Sequence, residues 1–347
     1  MPNDILTRAI DELCAGSHLT ADHTSAALAE IMEGRVAEVQ IAAFLIALRA
    51  KGETVPELVG LARTMRALAA EVAVNLDGLV DTAGTGGGPT TFNVSTTAAL
   101  IAAGAGCKVA KHGNRSATSR SGSADVLEAL GVAIELAPEQ VATCIDEVGF
   151  GFMFAPKHHK ATAHVVPVRK ELAVRTIFNF LGPLTNPAGA ERQLLGVSDR
   201  NFQETIAEAL IGLGCEHALV VSADNGMDEL ALGRTRVVEV VGGRTEEWFA
   251  EPEDLGLRGA PIEDIAGGSP EENADVVKRV FAGEQGPAHD ISVLNGGAAI
   301  FVAGGADSLA AGVERAKEAV ASGAAADVLE RLASKTTELA EASAVEG

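Results

Sequence analysis

Asp-Thr-Ala-Gly-Thr-Gly-Gly-Gly-Pro-Thr-Thr-Phe-Asn-Val-Ser-Thr, residues 81–96, is the stretch from which the fold prediction starts. A short apolar segment, Leu79-Val80, precedes it, and the alanine-rich residues 98–103 that follow predict a buried helix. The glycines therefore occupy a predicted strand-to-helix turn, where a backbone without Cβ atoms and the N–H groups of a helix start favour a phosphate. A plain tight turn explains the same glycines equally well.

The glycine stretch matches neither of the two common nucleotide-binding motifs. No Gly-Lys-Ser/Thr ends it, and its spacing differs from Gly-x-Gly-x-x-Gly. Asn93, Ser95 and Thr96 add side-chain donors at the predicted helix start, which favours a phosphate loop of another kind.

Hydrophobic periodicity divides the chain into two regions. Residues 3–70 carry four helical patterns and predict a small N-terminal bundle, with Thr20 and Thr54 as N-caps. From residue 76, short apolar segments alternate with helical patterns, which predicts a larger α/β domain with a mostly parallel central sheet. The predicted strands are 78–82, 107–111, 133–135, 150–154, 193–197 and 217–222, followed by a hairpin of 236–241 and 244–249. Ligands of such a sheet gather at the carboxyl ends of its strands.

Composition excludes several classes of protein. The net charge of -21 disfavours nucleic acid and anionic membrane surfaces as partners. Residues 1–10 contain no basic segment followed by an apolar run, so we expect a cytoplasmic protein. The four cysteines are scattered without a Cys-x-x-Cys pair, which argues against a disulfide framework or a structural zinc site and favours buried, reduced thiols.

The acidic charge is unevenly distributed along the chain. An acidic surface with only 9 lysines is typical of proteins from a salt-rich cytoplasm, where screening weakens self-repulsion. Residues 108–175, in contrast, contain 9 Lys/Arg against 7 Asp/Glu. A solvated basic face is the simpler interpretation of this segment, but its position directly after the glycine loop favours an anion site.

A second polar turn follows the glycine loop. The residues from Lys111 to Ser119 read Lys-His-Gly-Asn-Arg-Ser-Ala-Thr-Ser and offer cations and short donors around Gly113. Ser121-Gly122-Ser123 then begins another predicted helix. Two such turns close together in the sequence favour an anion site over ordinary turns.

These motifs together resemble the anthranilate phosphoribosyltransferase family. The resemblance rests on Gly-Thr-Gly-Gly at 84–87, Asn-Val-Ser-Thr at 93–96, Lys-His-Gly-Asn-Arg at 111–115 and Ser-Gly-Ser-Ala-Asp at 121–125. It continues in the same order through nearly the whole chain, with segments 154–159, 167–169, 175–179, 181–187, 226–229 and 268–273. It implies a helical domain over 1–74, joined by a helix over 165–190, and an α/β phosphoribosyl-binding domain over 75–347.

The family is a pentosyltransferase family of tryptophan biosynthesis. It transfers the 5-phosphoribosyl group from phosphoribosyl pyrophosphate (PRPP) to the amine of anthranilate, releases pyrophosphate and uses Mg²⁺. Such a reaction needs positive charge at the leaving group more than it needs a base, because the aromatic amine is already a neutral nucleophile. The chain offers no Ser-His-Asp or paired-carboxylate pattern for another reaction, so we assign no acid–base residue and expect Lys111 and Arg169 to act as an electrostatic clamp. A homodimer formed through the N-terminal helices is also implied.

By the same resemblance, most of the predicted site residues bind PRPP. They are Gly84, Gly87, Gly88, Thr91, Asn93, Val94, Ser95, Thr96, Lys111, His112, Gly113, Asn114, Arg115, Ser116, Ala117, Thr118, Ser119 and Ser123.

Smaller sets of residues match the acceptor and metal sites of the family. Gly84, Asn114 and Arg169 would surround anthranilate, with Arg169 on its carboxylate. Ser95, Asp228 and Glu229 would hold Mg²⁺, an ion that prefers oxygen ligands. Without the resemblance, Asp228-Glu229 is an ordinary acidic turn and Arg169 is a solvated helix residue.

The chain departs from the family at Gly88. The family usually has aspartate after Gly-Thr-Gly-Gly, whereas here Gly88-Pro89 follows and the loop is about one residue shorter. Two other functions stay open: a pyrimidine nucleoside phosphorylase, which shares the fold, and a non-catalytic paralogue that binds nucleic acid. The Lys-His-Gly-Asn-Arg run argues against the first, and the net charge of -21 argues against the second.

Overall fold

The fold consists of four N-terminal helices followed by a larger α/β region. The computed structural model describes residues 2–116 and 120–346. The predicted PRPP residues Ala117, Thr118 and Ser119 lie outside this part of the chain. The helices are α1 Asp4–Cys14, α2 Ala21–Met32, α3 Glu38–Lys51, α4 Val55–Ala67, α5 Val94–Gly104, α6 Ser123–Ala129, α7 Pro138–Val148, α8 Ala155–His158, α9 Val166–Leu172, α10 Phe178–Leu181, α11 Gln203–Gly212, α12 Pro270–Phe281, α13 Pro287–Val302, α14 Leu309–Ala321 and α15 Ala324–Glu346.

The four predicted N-terminal helices are confirmed, and local sequence explains where two of them begin. Thr20 is the N-cap of α2, and its side chain accepts a hydrogen bond from the His23 N–H at 3.2 Å. Thr54 begins α4 with a capping box, in which Glu57 accepts from the Thr54 N–H at 2.8 Å.

The central sheet has seven strands in the order β3-β2-β1-β4-β5-β6-β7. The strands are β1 Val80–Gly84, β2 Val109–Gly113, β3 Phe150–Phe154, β4 Arg192–Gly196, β5 His217–Ala223, β6 Thr235–Val241 and β7 Arg244–Ala250. The first five are mutually parallel, and β6 and β7 form the predicted hairpin. The predicted fold class, a helical bundle plus a mostly parallel α/β sheet, is therefore confirmed.

The prediction of a strand at 133–135 is wrong, because the structure has no strand there. Val132 and Ile134 are buried, but the Ala133 N–H donates to the Thr336 hydroxyl of α15 at 3.1 Å and not to a neighbouring strand. Helix packing thus accounts for the apolar residues of this segment.

A continuous helix over 165–190 is also wrong. The segment is divided into α9, α10 and a short 3₁₀ turn, Gly182–Leu184. Ala173 ends α9 in the left-handed region with φ +51°, and Pro183 and Pro187 remove backbone donors farther along.

Two hydrophobic cores lie on the two faces of the sheet. One contains residues of α5–α7 and α12–α15, and the other contains residues of α1–α4, α9–α11 and the opposite face of β4–β6. The alternation is visible in β4, where Leu194 belongs to the first core and Leu195 to the second. Consequently, the segment of α9 and α10 packs with the helical bundle while reaching the carboxyl ends of the strands.

Two further observations concern the cysteines and the helices. Cys107 and Cys144 are buried as expected, whereas Cys14 is exposed. Among the described residues, no helix combines the length and apolar character that a membrane crossing requires.

Candidate active site

The glycine loop leaves the carboxyl end of β1, and several of its hydrogen bonds converge on the backbone of Gly86. The Gly86 N–H donates to Asp228 Oδ2 at 2.7 Å. The Gly86 carbonyl accepts from the Ser198 hydroxyl at 2.7 Å and from Arg175 Nη2 at 3.2 Å. Residues that follow β4 and β5 therefore meet this loop, as expected for a site at the strand carboxyl ends.

Close approach explains two of the glycines in the loop. Gly87 has φ +86°, and a Cβ atom there would clash with the Arg175 guanidinium. A Cβ atom at Gly88 would lie 2.5 Å from the carbonyl oxygen of Gly226. The loop thus packs closely against the segment that follows α9 on one side and the turn that follows β5 on the other.

The start of α5 carries the predicted hydrogen-bond donors of the Asn-Val-Ser-Thr motif, residues 93–96. Asn93, the N-cap, accepts from the Ser121 hydroxyl at 3.0 Å and from Asn273 Nδ2 at 2.9 Å. Thr96 is fully buried, and its hydroxyl has no hydrogen-bond partner within the described chain. The remaining predicted residues here are Thr91, which pairs with Ala266, and Val94, which is buried.

Lys111 is a buried cation at the end of β2. Its Nζ donates to the Thr82 carbonyl and hydroxyl and, at 3.3 Å, to the Ser95 hydroxyl. Burial lowers the pKa of Lys111 to about 8, while Asp81 and Glu229 partly offset this effect. The side chain therefore brings a positive charge to the start of α5, held mostly by neutral acceptors.

Asp81 is a buried residue that sequence reasoning did not assign to the site. Its carboxylate accepts from the His112 N–H at 3.1 Å and from Asn186 Nδ2 at 2.7 Å. Burial raises the pKa of Asp81, and the nearby Lys111 opposes that rise. The carboxylate thus joins the end of β2 to the segment after α10. The only sequence signal was an acidic residue inside an apolar strand, directly before the glycines.

A pair of buried histidines lies beside this network. The ring centres of His112 and His159 are 5.0 Å apart. Burial lowers the pKa of His112 to about 3 and that of His159 to about 4. Both are therefore neutral at pH 7, and they are bonded to the carbonyls of Gly182 and Thr185 at 3.1 Å.

The turn after β2 folds back on α6. The Asn114 carbonyl accepts from the Ser123 hydroxyl at 3.2 Å, and Gly113 ends β2. Arg115 forms ion pairs with Asp125 and Glu128, so its charge is already partnered. The Ser116 N–H donates to Asp125 Oδ2 at 3.2 Å. The structure thus places Gly113 at the strand end and directs the Arg115 guanidinium toward α6.

Asp228 and Glu229 are adjacent acidic residues that could bind a cation. Burial raises the pKa of Asp228, and burial together with the Asp228 charge raises that of Glu229 well above its usual value. The Glu229 carboxylate makes no hydrogen bond or ion pair with any residue that the structure describes. A divalent cation would offset both effects, so this pair fits Mg²⁺. No group of three or more His, Cys, Asp or Glu side chains suited to a metal occurs in the described residues, so ligands other than this pair would be hydroxyl, substrate or water oxygens.

Arg169 is a partly buried cation on α9. Its guanidinium lies 5.4 Å from the centre of the Phe178 ring. Burial lowers its pKa, and no carboxylate in the described chain pairs with it. A guanidinium of this kind is suited to bind a carboxylate ligand in two-point fashion.

Comparison with family models assigns the two regions of the chain separately. Residues 7–69 match the helical bundle domain of the glycosyl transferase family, and residues 76–326 match the a/b domain of that family.

Two bacterial relatives are similar over nearly their whole length. The chain is 52% identical over 339 residues to the anthranilate phosphoribosyltransferase of Rubrobacter xylanophilus, covering 97% of this chain and 99% of the relative. It is 48% identical to the enzyme of that name from Halorhodospira halophila, covering 97% and 99%.

Solved structures give the same likeness in three dimensions. Anthranilate phosphoribosyltransferase from Thermus thermophilus has a TM-score of 0.91 and 46% identity, covering 95% of this chain and 99% of that one. The enzyme from Saccharomyces cerevisiae in complex with PRPP and Mg has a TM-score of 0.88 and 27% identity, covering 96% and 98%. The yeast enzyme in complex with 4-fluoroanthranilate has a TM-score of 0.87 and 26% identity, again covering 96% and 98%.

Proposed function

The chain belongs to the anthranilate phosphoribosyltransferase family, and we propose that its glycine loop, Lys111 and Arg169 bind the two substrates of that reaction. It is a pentosyltransferase that converts PRPP and anthranilate to N-(5-phosphoribosyl)anthranilate and pyrophosphate. The observation that supports the site best is the 2.7 Å hydrogen bond from the Gly86 N–H to Asp228, because it joins the glycine loop to the carboxylates that we assign to Mg²⁺.

The donor site follows from the positions of these groups. We assign PRPP to the glycine loop, the start of α5 and the turn after β2, where Lys111 supplies charge and Ser95 supplies a hydroxyl 3.3 Å from it. Mg²⁺ would be held by Ser95, Asp228 and Glu229, with its remaining ligands from the diphosphate. When bound, the ion would neutralise negative charge on the pyrophosphate leaving group.

The reaction requires charge stabilisation and orientation from the protein. The bond between the anomeric carbon and the pyrophosphate oxygen breaks, and its electron pair leaves with pyrophosphate. The anthranilate nitrogen forms the new bond with its lone pair and then loses a proton to water. We propose that Lys111 stabilises the departing negative charge, while His112 and His159, which are neutral at pH 7, add no positive charge to the site.

The acceptor site rests on Arg169. Its guanidinium is partly buried and unpaired in the described chain, so an anthranilate carboxylate would be its first ionic partner. Asn114 and Gly84 would complete the surroundings of the aromatic ring.

We predict that Arg169→Ala raises the KM for anthranilate far more than the KM for PRPP. Loss of a charge-assisted contact of about 1.5–3 kcal/mol corresponds to a roughly tenfold to hundredfold effect. Anthranilate fluorescence, followed with PRPP and Mg²⁺, measures both constants. Arg234→Ala is the matched control, because Arg234 also lies over an aromatic ring, 3.9 Å from the centre of Phe249, but on the sheet hairpin side. An unchanged KM for anthranilate would remove Arg169 from the acceptor site.

We also propose a cytoplasmic homodimer. Helix α3 exposes the apolar side chains of Val39 (74%) and Ile46 (38%) in addition to its buried face. A partner's helix would cover such residues. Light scattering of the purified protein measures the mass of the assembly, and a monomer would contradict this proposal.

A further inference from the structure

We propose that Arg175 is a positioning residue for the glycine loop, and this role rests on the proposed function of that loop in PRPP binding. Arg175 lies between α9 and α10, in the segment that packs with the helical bundle. Its guanidinium crosses to the loop that follows β1, so one side chain joins two parts of the fold.

The contacts of Arg175 converge on one carbonyl of the loop. Nη2 donates to the Gly86 carbonyl at 3.2 Å, and Nη1 donates to the Ser198 hydroxyl at 3.4 Å. Ser198 donates to the same Gly86 carbonyl at 2.7 Å. Gly87 follows, and a Cβ atom at this position would meet the Arg175 guanidinium. Arg175 and Ser198 therefore fix the direction of this carbonyl from two sides.

The N–H of the same residue faces the carboxylate pair, where it donates to Asp228 Oδ2 at 2.7 Å. The N–H and the carbonyl of Gly86 belong to the two planar peptide groups that flank its Cα atom. Hydrogen bonds to both groups therefore restrict the two backbone dihedrals of Gly86, and rotation there would break the contacts on one side or the other. The Arg175 guanidinium thus helps to determine how the loop is presented to the proposed metal ligands.

The backbone of Arg175 is itself anchored by the helical bundle. Arg49 Nη1 of α3 donates to the Arg175 carbonyl at 2.8 Å, and the Arg175 guanidinium lies 5.7 Å from the centre of the Phe180 ring. Hydrogen bonds through Arg49, Arg175 and Gly86 thus connect the bundle to the glycine loop.

The charge of Arg175 adds to this role. Although the chain has 48 acidic residues, no carboxylate within the described part forms an ion pair with Arg175. Its hydrogen-bond acceptors are a carbonyl and a hydroxyl, and both are neutral groups. A cation held in this way beside a phosphate loop favours a polyanionic ligand.

The test compares Arg175→Gln, Arg175→Lys and Ser198→Ala with the wild type. Arg175→Gln is expected to raise the KM for PRPP about tenfold, the usual effect of losing a charged hydrogen bond, with less than about twofold change for anthranilate. Titration calorimetry of PRPP with Mg²⁺, without anthranilate, should show the same weakening. Arg175→Lys keeps the charge but cannot reach both acceptors, so it should recover part of the affinity, and Ser198→Ala should have an intermediate effect.

Arg63→Gln is the matched control, because Arg63 also donates to a backbone carbonyl, that of Gly212 at 3.1 Å, but on α4. It should leave both constants unchanged. Arg175→Gln with an unchanged KM for PRPP and a lowered Tm would overturn the proposal and leave a purely structural role. A selective rise in the KM for anthranilate would also overturn it. If the wild-type protein bound PRPP without forming product, the proposed function would be wrong. The calorimetric comparison of PRPP affinity between the wild type and the Arg175 variants would still test the role of Arg175.

Discussion

Gly88 is the position at which the backbone of the glycine loop approaches the turn before Asp228. An ideal Cβ atom there would lie 2.5 Å from the carbonyl oxygen of Gly226, two residues before Asp228. The aspartate that the family resemblance places at this point therefore cannot be introduced without moving the loop or the turn.

We predict that Gly88→Asp weakens PRPP binding instead of strengthening it. The added side chain would displace the loop from the turn that carries Asp228, and Gly88→Ala should already show part of this effect. The KM for PRPP measures it. Gly233→Ala is the control, because a Cβ atom at Gly233 meets nothing within 4 Å. Tighter PRPP binding by Gly88→Asp would contradict this description of the loop.

At the residue scale, sequence motifs predict candidate site residues but not the contacts that position them. The glycine loop, Lys111 and Asp228 belong to recognisable local patterns. The contacts of Arg175, Ser198 and Asn186 became apparent only in the fold, because their partners in the loop or in β1 are about a hundred residues away in sequence. The roles of the predicted PRPP, anthranilate and metal residues remain predictions.

At the scale of elements, the junction of α3 and α4 depends on a buried ion pair. Lys51 Nζ lies 2.9 Å from Glu57 Oε2, and the two side chains are only 4% and 0% exposed. Glu57 also accepts from the Leu19 N–H at 2.9 Å and from the Thr54 N–H at 2.8 Å. One carboxylate thus caps α4, pairs with the end of α3 and holds the loop before α2.

We predict that Lys51→Met lowers the free energy of unfolding by about 3 kcal/mol, because it leaves the Glu57 charge buried without its cation. Urea denaturation measures the change. Lys108→Met is the matched control, since Lys108 pairs with Asp146 at a similar distance of 2.8 Å but on the surface, and we expect little effect there. Equal losses for the two variants would show that burial does not determine the contribution of the pair.

Element prediction succeeded where apolar runs and chain breaks coincide. Five parallel strands and the hairpin were predicted to within two residues of their observed ends, because each is short, apolar and bounded by turn residues. The segments 133–135 and 165–190 were predicted wrongly for different reasons. The apolar residues of 133–135 are buried by helix packing, which periodicity alone cannot distinguish from a strand. The helix over 165–190 followed from the family resemblance, and the left-handed Ala173 and two prolines interrupt it.

At the scale of the whole molecule, the net charge of -21 is the dominant electrostatic feature. Self-repulsion of this charge opposes the compact state, and salt reduces it, since the screening length falls from about 30 Å at 0.01 M to about 3 Å at 1 M ionic strength.

We predict that Tm falls when the protein is diluted from molar to millimolar NaCl. Thermal denaturation followed by circular dichroism measures the shift. Sucrose at matched osmolality is the control, because it favours the compact state by exclusion from the surface without screening charge. A Tm independent of NaCl would contradict the interpretation of the acidic composition as an adaptation to salt.

The two edges of the seven-stranded sheet differ in their protection against association. The outer strand β7 carries Arg244, Glu246 and Glu247 on an exposed ribbon, and such charges oppose pairing with a strand of another chain. The opposite edge, β3, is Phe-Gly-Phe-Met-Phe and entirely buried, with α7 and α8 packed against it. Any partial unfolding that removes α7 would uncover an apolar strand with free backbone donors and acceptors. Aggregation of this protein should therefore begin at β3, and the packing of α7 is its protection against it.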